Sequence, residues 1–131
     1  MRNFYIKIII VLFAISILGF GFQLKNMPNT TIGVYTVRDN SGYGDITVTE
    51  NGIQIRGYDY NGNTLANNYF GVYQITRSRE KNDAGRIIIV YTVGSGAEEI
   101  TFTFSELHNN KYQKVEMRAF AAGGVSTIFT R

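Results

Sequence analysis

The chain has no cysteine and no tryptophan, and only one proline and one histidine among 131 residues. Without cysteine there is no disulfide scaffold, no thiolate zinc site, no cysteine nucleophile and no lipid-bearing cysteine. A single histidine excludes multi-histidine metal chemistry. Charged residues make up 18% of the chain, too few for a disordered or coiled-coil protein. What the chain does hold is aromatic mass: nine Phe and nine Tyr, with 14 Gly. That supplies a core for one domain, which is all the length allows.

Residues 1–22 stand apart. Arg2 and Lys7 precede an apolar stretch from Ile8 to Leu18, broken only by Ser16 and continued by Gly19-Phe20-Gly21-Phe22. A positive start, an apolar run of ~7–15 residues and small residues at its end form the secretory signal pattern, here with cleavage after Gly21. An uncleaved anchor is the competing reading. Phe4 to Phe22 approaches the ~20 residues of a bilayer span, and Lys7 can snorkel to the headgroups. Either way Arg2 and Lys7 stay inside, so everything after Phe22 is expected outside the cytoplasm: periplasmic, secreted, or anchored and facing outward. Setting those two aside leaves eleven basic residues against ten acidic ones. The densest basic stretch, Arg77-Ser78-Arg79-Glu80-Lys81, reads as a solvated loop. Nucleic acid needs a clustered basic face, so no nucleic-acid partner is expected.

Gln23 to Thr31, with Pro28 and no periodicity or helical turn, reads as a tether. The domain proper is expected over residues 32–131, in strands. Ile32–Arg38 is followed by the turn Asn40-Ser41-Gly42. Asp45–Glu50 and Ile53–Asp59 flank Asn51-Gly52, the sequence signal of a type I′ hairpin with positive φ at both residues. Asn61-Gly62 is a second such signal. A looser stretch, Asn63 to Asn68, leads to a fourth strand at Tyr69–Arg77, and Lys81 to Gly85 is a loop. The fifth strand, Arg86–Val93, contains Ile87-Ile88-Ile89-Val90 and reads as buried on both faces. The sixth, Glu98–Ser105, directs Ile100, Phe102 and Phe104 inward. The seventh, Tyr112–Phe120, sets Val115, Met117 and Ala119 against Lys114, Glu116 and Arg118. Val125–Arg131 is the eighth. Ile55, Ile89, Phe102 and Phe104 are the expected core. Eight short strands in sequential order predict an all-β fold, an antiparallel meander barrel, with a β-sandwich as the alternative. Gly33, Gly57 and Gly71 inside strands mark bends or bulges.

The first strand opens with Gly33-Val34-Tyr35. This resembles the Gly-x-Trp that opens the first barrel strand of the lipocalin or calycin group, with Tyr in place of Trp. The resemblance implies a basic residue from a late strand packed over the aromatic ring, here Arg131 or Arg118. It also implies a cup for a small apolar ligand, or a barrel turned to protein binding.

No catalytic motif is present. Ser105, Glu106 and His108 are close in sequence, but a lone histidine in a polar turn lacks the orienting acid and oxyanion donors a triad needs. Glu98 and Glu99 are adjacent on a strand and point to opposite faces. Asp59-x-Asn61-x-Asn63 has the first spacings of a calcium loop, but Thr64 and Phe70 stand where its glycine and final glutamate belong. No cofactor and no metal site follow from these residues. The candidate contact surface is the hairpin of Tyr58, Tyr60, Asn61, Asn63, Asn67, Asn68 and Tyr69, where amphipathic aromatics stand beside Asn-rich loops. The expected function is non-enzymatic binding of a small apolar ligand or a protein partner. The alternative is an envelope inhibitor, immunity or phage-exclusion protein acting on a toxin or hydrolase.

Overall fold

The computed structural model describes residues 24–120 and 123–131. Residues 1–22, read from the sequence as a signal or an anchor, lie outside the described residues. Nine strands follow one another: β1 (Gly33–Arg38), β2 (Gly42–Thr49), β3 (Gly52–Asp59), β4 (Thr64–Gly71), β5 (Ile75–Asp83), β6 (Arg86–Val93), β7 (Ile100–His108), β8 (Lys111–Ala119) and β9 (Val125–Thr130). All pair antiparallel in a single sheet, in the order β4-β3-β2-β1-β9-β8-β7-β6-β5. The sheet is a curled half-barrel. Phe70 on β4 and Phe102 on β7 have five strands between them, yet their ring centroids are 6.3 Å apart. Only a sheet folded round on itself brings them together.

The alternation that predicts the strands also builds the core. Tyr35, Ile46 and Ile55 pair in register across β1, β2 and β3, and all three are fully buried. Phe102 and Phe104 on β7 and Val115, Met117 and Ala119 on β8 face the same interior. Tyr35 and Tyr91 each meet the ring of Phe104 edge-on at 5.8 Å, and Tyr112 meets it at 6.1 Å. Aromatic rings in mutual contact thus fill the middle of the curl.

Five expectations are corrected. The sheet has nine strands rather than eight, because the fourth predicted strand spans two. β4 ends at Gly71, a 3-10 turn covers Val72–Gln74, and β5 begins at Ile75. The stretches Asn63 to Asn68 and Lys81 to Gly85, read as loops, are mostly strand; the true connection there is Ala84-Gly85, both with positive φ. β5 is an edge strand, paired on one side only, so its polar run from Arg77 to Asn82 meets solvent without loss.

The β6 run is not buried on both faces either. Ile87 is 42% exposed, and Ile88, Ile89 and Val90 are half-buried. Ile89 therefore packs at the margin of the core.

The Asn51-Gly52 signal is displaced by one residue. Thr49 pairs with Gly52, the loop is Glu50-Asn51, and none of these residues has positive φ. Positive φ at both loop residues, which a type I′ turn requires, occurs instead at Ala84-Gly85 and at Asn109-Asn110, the latter with φ of 52° and 63° between β7 and β8. Gly52 is needed for space, since a Cβ there would lie 2.3 Å from the Phe70 carbonyl oxygen.

The segment read as a tether is partly packed. Met27 is buried, its amide donates to the Glu50 carbonyl, and Asn29–Thr31 forms a 3-10 turn just before β1.

Candidate functional site

The outer face of β1–β3 and the turn after β3 gather three tyrosines, while the exposed Tyr69, Tyr73 and Phe120 lie elsewhere. Arg38 and Tyr43 are cross-strand partners, as are Tyr43 and Tyr58. The Tyr43 ring lies 5.2 Å from Tyr58 and 6.0 Å from Tyr60. The Arg38 guanidinium sits over Tyr43 at 5.3 Å and over Tyr60 at 5.8 Å. Two turns fix this arrangement. In the first, Asp39 accepts hydrogen bonds from the Ser41 amide and hydroxyl and from the Gly42 amide. In the second, Asp59 accepts from the amides of Asn61 and Asn63 and from the Asn63 side chain. The Tyr60 hydroxyl ties the two turns together by donating to the Asp39 carbonyl at 2.7 Å. Hydrogen bonding from the Asn63 backbone, and then from its side chain, holds the Asp59 carboxyl below the usual carboxylate range.

The hairpin residues expected to form one surface are thereby divided. Tyr58 and Tyr60 join the aromatic cluster. Asn61 and Asn63 serve the Asp59 turn, which also explains the calcium-like spacing. Tyr69 and Asn67 lie farther along the outer face, opposite Gln54 and Arg56, with Gln54 donating to Asn67. Asn68 shares the inward face of Ala66 and Phe70, and its Oδ1 is buried with no hydrogen-bond partner among the described residues. Arg38 and Tyr43 are not among the contact residues expected from the sequence. Their signal was pairing across the Asp39–Gly42 turn, which makes residues five apart in sequence direct neighbours.

A cleft of about 520 Å³ adjoins the cluster, lined by Thr36, Arg38, Tyr43, Asp45, Ile128 and Thr130 among others. It opens where β1 meets β9 through one residue pair, Thr36 with Thr130. Two further clefts lie over β5–β7 and beside the β5–β6 turn.

Across that joint, inside the curl, lies the arrangement implied by the lipocalin resemblance. The Arg131 guanidinium stacks over Tyr35 and donates to its hydroxyl, while Arg131 Nε donates to the Tyr112 carbonyl at 2.7 Å. Tyr35 donates in turn to the Thr31 carbonyl. Gly33 leaves room for the guanidinium, since a Cβ there would fall 1.9 Å from Arg131 Nη1. Arg118 is exposed on β8, away from Tyr35. Burial pushes the Tyr35 phenol up to about 12 although Arg131 pulls the other way, and burial pushes Tyr91 up to about 12 as well.

The residues that could be written as a triad serve other ends. Glu106 pairs with Lys114 at 2.8 Å, and His108 is an exposed ladder partner of Lys111. Among the described residues no cluster of His, Asp and Glu could hold a metal, and no helix is long and apolar enough to cross a membrane. No family model, curated protein or solved structure matches the chain.

Proposed function

We propose that this chain is a non-enzymatic, extracytoplasmic binding module. In this reading it engages a protein partner through the outer face of β1–β3 rather than a small apolar ligand in a cup. The observation that carries the reading is the contrast between the two faces. Inside, Tyr35, Tyr91 and Tyr112 crowd around Phe104 where a lipid-like ligand would have to sit. Outside, Tyr43 and Tyr60 are 36% and 52% exposed beside a guanidinium. Rigid, amphipathic aromatics with arginine are the side chains that anchor protein interfaces. The Gly33, Tyr35 and Arg131 set, with a 3-10 turn ahead of β1, supports a lipocalin-like barrel repurposed for binding. The apolar leader supports export. An inhibitor, immunity or exclusion role at the envelope would use this same surface.

The test is a photo-crosslinking residue placed at Tyr60 in the full chain in its host, with a control at Ile87 near the β5–β6 turn. A discrete protein adduct from position 60 and none from position 87 is the expected result. No adduct from position 60, together with saturable binding of a fluorescent fatty acid by the purified protein, would transfer the assignment to the small apolar ligand.

A further inference from the structure

Building on that reading, we propose that the cleft beside Arg38 takes an extended acidic segment of the partner, with a carboxylate seated on the Arg38 guanidinium.

Arg38 is the cation at this site that has no carboxylate among the described residues. Its neighbours are engaged elsewhere. Asp39 Oδ1 is occupied by the Ser41 and Gly42 donors of its own turn. Asp45 pairs with Arg56 at 3.7 Å and accepts from the Thr47 hydroxyl. Arg38 instead lies against two ring faces, which hold the planar fork in place without using its hydrogen bonds. A guanidinium in that state is ready for a bidentate carboxylate, the strongest kind of neutralising contact open to it.

The form of the ligand follows from the strands beneath. β1 and β9 are laddered at Thr36 and Thr130 and at no other described pair, so adjoining stretches of both strands run past each other unladdered. Threonine hydroxyls and the exposed Ile128 line the same cleft. Unladdered strand edges with alternating polar and apolar flanks suit an extended backbone better than a helix or a compact solute.

The experiment measures fluorescence anisotropy of a labelled hexapeptide of alternating Glu and Val against its Gln and Val counterpart, with the full chain in mild detergent. The Glu peptide is expected to bind at least ~10-fold more tightly, a difference of ~1.4 kcal/mol. Arg38→Gln should erase the preference, and Arg38→Lys should restore only part of it. Arg38 is exposed, so an unchanged circular dichroism melt serves as the folding control. Equal binding of the two peptides, binding of neither, or a preference that survives Arg38→Gln would overturn the proposal. So would binding of a neutral oligosaccharide that depends on Tyr43 while the peptides are not distinguished. The crosslink distinguishes loss of the acidic segment from loss of the protein-binding face. An adduct at position 60 that persists in Arg38→Gln overturns the acidic segment and leaves the protein-binding face standing; no adduct in the wild type removes that face.

Discussion

The Arg131 guanidinium lies 4.6 Å from the centre of the Tyr35 ring and donates a 2.7 Å hydrogen bond to the hydroxyl of the same residue. One side chain thus joins β9 to β1 at a place where the backbone ladder contributes a single pair. Arg131→Ala removes a cation–π contact and two charge-assisted hydrogen bonds, so it is expected to cost ~2–4 kcal/mol in urea unfolding. Gly33→Ala should be damaging by the same logic, because its φ of 151° and the pinned guanidinium both oppose a Cβ. Wild-type stability in either variant would mean that the joint is held elsewhere.

Phe102 is fully buried, and Thr103 next to it is half-buried on the opposite face. Phe102→Ala should cost ~3–5 kcal/mol by emptying the centre of the curl. Thr103→Ala should cost less than ~1 kcal/mol. Equilibrium denaturation of the two variants checks the register of β7 directly.

Gly52 and Gly62 are both hairpin glycines, required for different reasons. At Gly52 a Cβ would meet the Phe70 carbonyl at 2.3 Å and the Gly71 Cα at 2.9 Å, so strand must move from strand. At Gly62 nothing lies within 4 Å, and only the φ of 87° opposes a side chain. Gly62→Ala should cost ~1 kcal/mol, the usual left-handed penalty. Gly52→Ala should cost clearly more. A reversed order in thermal melts would refute the close approach of β3 and β4.

Tyr35 and Tyr91 predict an alkaline limit to stability. Both phenols are pushed up to about 12 by burial, from an ordinary value of 10.0. Their folded-state values exceed their unfolded ones, so the contribution to stability is complete below about pH 10 and is lost as pH rises toward about 12. Denaturant midpoints should fall across that window, together with a late phenolate absorbance step. Tyr35→Phe should make the fall shallower.

Tyr60→Ala should leave the fold nearly intact, since the ring is half-exposed and its hydroxyl makes one surface hydrogen bond. It should still weaken partner binding by ~1–3 kcal/mol, the usual cost of one aromatic anchor. His108→Ala should alter neither, and loss of function there would revive an enzymatic reading. Binding assays with the crosslinked partner distinguish these outcomes.

Most of the fold was legible where one face of a strand is buried and the other wet. β7 alternates from Ile100 to Phe104 and β8 from Val115 to Ala119, with the inward residues expected there, whereas the alternation breaks before Val115 and turns Tyr112 inward as well. Legibility failed at the two edges of the sheet. β5 is paired on one side only and can be polar from Arg77 to Asn82, so its composition imitates a loop. β4 carries Asn67 and Asn68 on opposite faces, which cancels the alternation. The contact surface was half legible for a related reason. Tyr58 and Tyr60 lie close together in the chain, whereas Arg38 and Tyr43 become neighbours only through the pairing of β1 with β2. The Arg131 clamp could be named only from a family resemblance, because 96 residues separate it from Tyr35.

The sheet order has a consequence for the chain's connectivity. Read from β5 through β9 and on from β1 to β4, the strands are spatial neighbours in unbroken succession, while β4 and β5 occupy opposite edges and are joined by the turn at Val72–Gln74. Every ladder but one links strands consecutive in sequence, so the molecule consists of two local meanders, β1–β4 and β5–β9, that can each zip up at low contact order. Their union through β1 and β9 is the one step that must close a long loop. A circular permutant opened at Val72–Gln74, with the β9 end linked to the segment before β1, would turn that long-range closure into one more hairpin-like neighbour contact. The same sheet would then assemble as a single nine-strand meander from one edge to the other.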